Sequence, residues 1–187
     1  MTLMKEIEER RAYRALSPDP LPEDQVERLL TAAHHAPSCF NKQSWRFVAV
    51  TGDALAGLRE TLSEGNKWAT RAPLIVAAAQ KPSLDCRLDE GRDYAPFDLG
   101  LAVMSLVLQA THEGLVAHPI AGYSPGKVRK ALGIPEDYVV QTLVIVGRKG
   151  SDELLSDWQK ERETGPRLRE PLEKVAFRNR WPAPVSG

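Results

Sequence analysis

The sequence has no excess of charge of either sign: its 187 residues include 25 lysines and arginines and 25 aspartates and glutamates. Proteins that bind nucleic acid or an anionic membrane through their overall field carry a surplus of positive charge. The longest apolar stretch, Leu99 to Leu108, is much shorter than the roughly 20 residues that a membrane-spanning helix needs. We therefore expect neither a nucleic-acid partner nor a membrane partner.

Cysteine is also scarce. Cys39 and Cys86 are the two cysteines of the chain, and they form neither a CxxC pair nor a disulfide framework. This usage fits a reducing cytoplasm better than secretion, and the charged N-terminal segment is unlike a signal peptide. We predict a cytoplasmic location. Cys39 can be read as a redox thiol or as a small buried filler, and we favour the filler.

Two glycine-rich phosphate-binding patterns are missing as well. The sequence contains no Gly-x-Gly-x-x-Gly fingerprint and no Walker loop, so neither a Rossmann dinucleotide site nor a P-loop is predicted. No metal site is predicted, because the adjacent His34 and His35 point apart on a helix and cannot share an ion.

The hydrophobic pattern predicts a single domain of helices and four strands. The length of the chain, 187 residues, is within the range of one domain with a substantial core. Periodicity of about 3.6 predicts helices over 3–11 and from Pro22 towards His35. The expected strands are Trp45–Thr51, Leu74–Ala79, Leu115–Gly122 and Tyr138–Val146. We predict an α+β fold, a three-layer α/β/α sandwich, although periodicity alone leaves other α/β arrangements open.

The longest predicted helix runs from Tyr94 or Pro96 to Glu113, and it is apolar nearly all round. A helix of that kind is buried, either inside the subunit or against a partner. Asp98 is expected to cap or stabilise it. Lys81 to Asp93 precedes the helix and is predicted to be a mobile loop. After Gly150 the pattern breaks, which predicts a disordered tail or an arm that needs another surface.

The segment from Ala36 to Trp45 has more polar side chains than a turn requires. Ser38, Asn41 and Gln43 supply donors and acceptors, and Trp45 supplies a flat apolar surface. Such a set suits a planar heterocycle with hydrogen-bonding edges. An ordinary surface loop is the alternative from composition alone.

The motif Pro37-Ser-x-x-Asn41-x-Gln43-x-Trp45, preceded by Arg10-Arg11-x-x-Arg14, resembles the nitroreductase family of the FMN-dependent NAD(P)H oxidoreductase superfamily. The similarity continues in register along nearly the whole chain. Its further parts are Asp98-Leu-Gly-Leu-Ala, Glu113-Gly-Leu, Pro119-Ile-x-Gly122 and Arg167-x-Arg169-x-Pro-Leu-Glu-Lys-Val.

The resemblance implies a nitroreductase-like fold in a homodimer, with residues 1–165 as the domain and 166–187 as a C-terminal arm exchanged between subunits. It implies FMN as cofactor and NADPH or NADH as electron donor. A small-molecule electron acceptor, such as a nitroaromatic or a quinone, would then be reduced in a ping-pong reaction.

The resemblance also implies where FMN would bind. The expected phosphate-binding residues are Arg10, Arg11, Ala12, Arg14, Arg167 and Arg169. The expected ring-binding residues are Pro37, Ser38, Asn41, Gln43, Pro119, Ile120, Ala121 and Gly122. Paired guanidiniums can grip a phosphate through forked hydrogen bonds; the alternative is a solvated charged face. No catalytic side chain is predicted, because the flavin carries the chemistry.

Two positions depart from the family pattern. Ala12 replaces the usual serine, which removes one hydroxyl contact, and Ala121 stands where some relatives carry a glutamate. Two other functions remain open, and these departures bear on the second of them. One is a specialised flavin enzyme of the same superfamily, of the dehalogenase or flavin-cleaving type, and the other is a flavin-binding protein without turnover.

Overall fold

The structure is a computed structural model that describes residues 2–182; Met1 and residues 183–187, the end of the predicted arm, lie outside it. Its centre is a four-stranded antiparallel sheet in the order β1-β2-β4-β3. The strands are β1 (Trp45–Thr51), β2 (Leu74–Gln80), β3 (Val116–Ile120) and β4 (Val139–Gly147). Helices cover both faces, so the predicted three-layer α+β sandwich is confirmed.

Seven α-helices surround the sheet among the described residues. They are α1 (Lys5–Glu9), α2 (Glu23–His34), α3 (Leu55–Arg59), α4 (Ala95–His112), α5 (Pro125–Leu132), α6 (Asp157–Thr164) and α7 (Leu172–Val175). Short 3-10 segments lie at Cys39–Asn41, Gly52–Ala54, Glu64–Arg71, Pro82–Leu84 and Asp89–Gly91. None of the helices in the described part of the chain is long and apolar enough to cross a membrane.

Strand β2 is the centre of the core, and all seven of its residues are buried. Alternate side chains of a strand point to opposite faces. Leu74 and Val76 accordingly join the cluster beneath α2 and α4, whereas Ile75 and Ala77 join the cluster on the other face. Burial on both faces explains why this strand is a continuous apolar run and does not alternate with polar residues.

Helix α4 crosses the first of these clusters. Leu99, Ala102 and Leu106 follow helical spacing and are fully or almost fully buried against the sheet and α2. The predicted burial is therefore correct for one face. The opposite face exposes 54% of Phe97 and 39% of Met104, so in a single chain this apolar face remains in contact with solvent.

The prediction for the cysteines is wrong. Cys39 is not a buried filler: it is half-buried and forms a disulfide with Cys86 across 47 residues of sequence. Asp98 is not the cap of α4, whereas its position in the first turn agrees with the other part of the prediction, that it stabilises the helix. It lies in the first turn of the helix, is 1% exposed, and accepts a hydrogen bond from the Cys39 N–H at 2.8 Å. Both pairings are long-range in sequence, so helical periodicity does not reveal them.

The chain after Gly150 contains more structure than its composition suggests. Ser156 caps α6 by accepting from the Gln159 N–H, and the Gln159 side chain accepts from the Ser156 N–H. This reciprocal pair satisfies two amides that a helix otherwise leaves open. Helix α6 brings Trp158, Arg162 and Glu163 back to the N-terminal segment.

Candidate functional site

Six arginines meet where the two ends of the chain come together. The N-terminal segment after α1 lies beside α6 and the residues that follow it, and together they line an open cavity of about 490 Å³. We call these six residues the arginine cluster; they are Arg10, Arg11, Arg14, Arg162, Arg167 and Arg169. Ala12, Trp158, Pro166 and Leu168 complete the lining.

Two members of the cluster tie the chain ends to each other. Arg11 donates through Nη2 to the carbonyl oxygens of Arg162, at 2.8 Å, and of Gly165. Arg167 donates through Nη1 to the Arg10 carbonyl, also at 2.8 Å. Both guanidiniums hold backbone carbonyls, so the cavity is built by hydrogen bonds between segments more than 150 residues apart in sequence.

Glu163 is the acid that holds the N-terminal segment in place. Its carboxylate accepts from the backbone N–H groups of Arg14 at 2.9 Å and Ala15 at 3.3 Å, and it lies 3.9 Å from the Arg14 guanidinium. The same guanidinium lies 5.5 Å from the centre of the Trp158 ring. Arg14 is therefore fixed by an ion pair and an aromatic face.

The charges of the cluster repel one another. Burial, and then the positive charges of Arg167 and Arg169, lower the pKa of the Arg10 guanidinium. A bound dianion such as a phosphate would offset this repulsion and would accept hydrogen bonds from several guanidiniums at once. The donor set and the size of the cavity therefore fit the phosphate end of a nucleotide.

His118 connects this segment to the sheet, a role that the sequence does not indicate. Its Nδ1 lies 3.0 Å from the Tyr13 carbonyl, and its ring packs on Trp68 with the ring centres 4.8 Å apart. A carbonyl can only accept, so Nδ1 carries the proton. Burial, and then the charges of Arg14 and Arg10, lower the pKa of His118 to about 4. The imidazole is therefore neutral at pH 7 and fixes the backbone between Arg11 and Arg14.

The predicted Pro119–Gly122 segment follows His118 at the end of β3. The Gly122 carbonyl accepts from Asn66 Nδ2 and from the Ser63 N–H, both at 3.0 Å. A Cβ on Gly122 would collide with the ends of the Asn66 and Ser63 side chains, so a larger residue here would require both side chains to shift. Asn66 is a second positioning residue without a signal in the sequence, because it lies in an irregular turn with no periodicity.

The segment 36–45, here called the Ser38 loop, has a constrained backbone. Phe40, Asn41 and Gln43 have positive φ angles of 46°, 55° and 48°, a region that non-glycine residues seldom adopt. Ser38 stabilises the turn by accepting from the Asn41 N–H through its carbonyl and from the Gln43 N–H through Oγ, both at 3.0 Å. Gln43 also donates to the Asn41 side chain at 3.0 Å.

The Ser38 loop and the Pro119–Gly122 segment lie at opposite edges of the sheet. The loop leads into β1 and the segment ends β3, and these two strands are the outer strands of the sheet. Three inter-strand spacings separate them, or about 14 Å. The arginine cluster is on the β3 side, because Tyr13 is bonded to His118. One chain therefore places the expected phosphate-binding residues and Pro119–Gly122 on the same side of the sheet and the Ser38 loop at the opposite edge.

Comparison with known proteins gives a consistent match. The model described as "Nitroreductase family" matches residues 7–80 and 64–148. A solved structure of an oxidoreductase containing FMN superposes with a TM-score of 0.87 at 30% identity, covering 97% of this chain and 94% of that one.

Two curated proteins are similar over most of their length. The NADH dehydrogenase of Thermus thermophilus is 27% identical, with 90% of this chain and 91% of the relative covered. The 5,6-dimethylbenzimidazole synthase of Rhodospirillum rubrum is also 27% identical, with 94% and 89% covered.

The buried imidazole generates a pH prediction. Because the folded-state pKa of His118 is below its usual 6.5, the unfolded chain takes up the proton first as the pH falls. The neutral imidazole of His118 therefore contributes its full stabilisation above about pH 6.5, and this contribution is lost as the pH falls from 6.5 to 4. In urea unfolding at fixed protein concentration, the contribution of His118 to the free energy of unfolding should fall by about 2 kcal/mol between pH 7 and pH 5.

The variant His118→Asn keeps a donor near the position of Nδ1 and removes the titration, so it should lose about 2 kcal/mol less than wild type over this range. His34→Asn, on the exposed end of α2, is the matched control and should follow the wild-type curve. Equal pH dependence in His118→Asn and wild type would contradict this role of His118.

Proposed function

The chain belongs to the nitroreductase family, and on that premise we propose that it is an FMN-dependent oxidoreductase. We propose NADH or NADPH as the electron donor and a small electron-poor molecule, such as a nitroaromatic or a quinone, as the acceptor. The observation that carries the proposal is the arginine cluster, because six guanidiniums around one cavity need an anion of high charge.

Different arginines are proposed to bind the phosphate of FMN and to shape the cavity around it. Arg10, Arg14 and Arg169 bind the phosphate, while Arg11 and Arg167 hold the cavity open through the carbonyls that they already contact. Ala12 offers no hydroxyl, so the phosphate depends on guanidiniums alone in this segment. FMN, when bound, supplies the transfer of a hydride from the donor and of electrons to the acceptor.

We propose that the ring site is shared by two copies of the chain. Arg10 to Arg14 and Pro119 to Gly122 come from one subunit, and the Ser38 loop comes from the other. The separation of about 14 Å between the sheet edges supports this arrangement, since one planar ring cannot readily contact both edges of the same sheet.

The exposed apolar surface also supports a homodimer. Phe97 and Met104 on α4, and Leu172 and Trp181 in the arm, are 39% to 81% exposed in the single chain. A two-fold interface buries the same patch twice, once on each subunit. We propose that residues 166–187 form an arm that packs on the partner subunit, with residues 1–165 as the domain.

We propose that the electron donor and the acceptor bind one after the other at the same site. Residues 2–182 contain no separate dinucleotide-binding domain, and Ala121 provides no acid beside the ring, so selectivity for the acceptor should be loose. We place this reaction in the cytoplasm.

The specialised superfamily functions remain the second candidate, favoured by the similarity to 5,6-dimethylbenzimidazole synthase. Turnover with intact FMN recovered in a 1:1 ratio to protein chains supports the oxidoreductase, and consumption of the flavin supports the specialised enzyme. Flavin that NADH and NADPH fail to bleach supports a binding protein without turnover.

The phosphate assignment is tested by removing two guanidiniums. Each charge-assisted hydrogen bond lost should cost about 1.5–3 kcal/mol, so Arg10→Ala with Arg169→Ala should weaken FMN by at least 100-fold, on the order set by two such losses. The measurement is quenching of flavin fluorescence. Arg59→Ala with Arg129→Ala removes the same charge from α3 and α5 and should leave the affinity unchanged. Wild-type affinity in the first pair would refute the assignment.

The shared site is tested by complementation. One variant carries Arg10→Ala and Arg169→Ala, and the other carries Asn41→Ala and Gln43→Ala; each should lose flavin as a homodimer. Co-expression with two different tags and purification through both gives the mixed dimer. In the mixed dimer, one flavin site contains all four substitutions and the other site contains none. The mixed dimer should therefore recover about half of the wild-type flavin. A mixed dimer without flavin would place both residue sets in the same chain.

The next prediction is the steady-state kinetic pattern expected if both substrates bind at one site. Initial rates at several donor and acceptor concentrations should give parallel lines in double-reciprocal plots, because the oxidised donor must leave before the acceptor enters. Intersecting lines would indicate that both substrates bind together and would contradict this part of the proposal.

A further inference from the structure

The disulfide joins the Ser38 loop to the segment 81–93. Cys39 begins the 3-10 turn that contains Asn41, and Cys86 lies between the two short 3-10 turns of 81–93. Both cysteines are half-buried. The Cα atoms are 6.1 Å apart, within the range that disulfides normally span.

Two carboxylates flank this disulfide. Asp98 accepts from the Cys39 N–H at 2.8 Å, and Asp85 accepts from the Cys86 N–H at 2.7 Å and from Ser44 Oγ at 2.5 Å. Burial, and then the negative charge of Asp85, raise the pKa of Asp98. Asp85 lies in the segment 81–93 and Asp98 lies in α4, so their repulsion acts between that segment and the helix to which Cys39 is hydrogen-bonded, and the covalent bond holds the segment 81–93 beside Cys39.

The backbone next to Cys39 is the part that most needs such a constraint. Phe40, Asn41 and Gln43 all have positive φ, and each such residue persists only where the surrounding structure imposes it. The hydrogen bonds from Ser38 act inside the loop, whereas Cys39 connects the loop to the body of the protein through the disulfide and Asp98. Opening the disulfide removes one of these two attachments.

We propose that the Cys39–Cys86 disulfide is a reversible control on flavin binding. In the oxidised form it keeps Asn41 and Gln43 in the conformation that contacts the ring, and reduction lets the Ser38 loop relax and weakens FMN binding. In the reduction, a dithiol transfers two electrons and two protons: its own sulfurs form a disulfide, the bond between Cys39 and Cys86 breaks, and both become thiols. This inference rests on the proposed binding of FMN.

The test compares the two redox forms of wild-type protein. One sample is left oxidised, and the other is treated with dithiothreitol and freed of it by anaerobic gel filtration. Titration with dithionitrobenzoate should find no free thiol in the first and two per chain in the second. FMN affinity, measured by fluorescence quenching, should be about tenfold or more weaker in the reduced form, a coupling of ordinary size.

Cys86→Ser is the matched variant, because Cys86 lies outside the Ser38 loop. It should bind FMN like the reduced wild type and should not respond to dithiothreitol. Linkage adds a measurement on the wild type alone: saturating FMN should shift the ratio of oxidised to reduced protein in a dithiothreitol redox buffer by the same factor as the change in affinity.

Equal FMN affinity in the two redox forms would overturn this inference while leaving the proposed function intact. Failure of the oxidised protein to bind FMN would overturn the proposed function itself. Two free thiols in protein exposed to air would show that the disulfide does not form, and this too would overturn the inference.

Discussion

The mutual repulsion of the arginine cluster is the constraint around which this protein is built. Arg10 and Arg14 come from the first turns of the chain, and Arg167 and Arg169 come from its last part. Like charges do not assemble without compensation, which Glu163 supplies only in part. The chain ends are held instead by Arg11 and Arg167 on backbone carbonyls, so neighbours of the proposed phosphate-binding arginines also close the fold.

The order of the sheet determines the rest of the site. His118 lies in the outer strand β3 and is hydrogen-bonded to Tyr13. Gly122 lies just after that strand and is hydrogen-bonded to Asn66. The Ser38 loop belongs to the opposite outer strand. If FMN binds as proposed, one chain presents only part of the flavin site at each edge of its sheet, and the proposed homodimer completes the site as well as burying Phe97 and Met104.

Several features could be predicted from the sequence because they depend on local patterns. The bounds of β1 follow from apolar residues between turn signals, and α4 follows from its long apolar run. The pairing of Cys39 with Cys86 and the bond from Asp98 to the Cys39 N–H could not be predicted, because they join segments far apart in sequence. Helix α6 was missed because its capping box is followed by polar residues with little periodicity.

The central claim is that the arginine cluster recognises the phosphate of a flavin nucleotide. The most direct measurement is the affinity of the same protein for FMN and for riboflavin, which has the same ring and no phosphate. With at least two charge-assisted hydrogen bonds to the phosphate, FMN should bind on the order of 100-fold more tightly or better, and the difference should shrink at high salt. Equal affinity for FMN and riboflavin would show that the arginine cluster has another purpose.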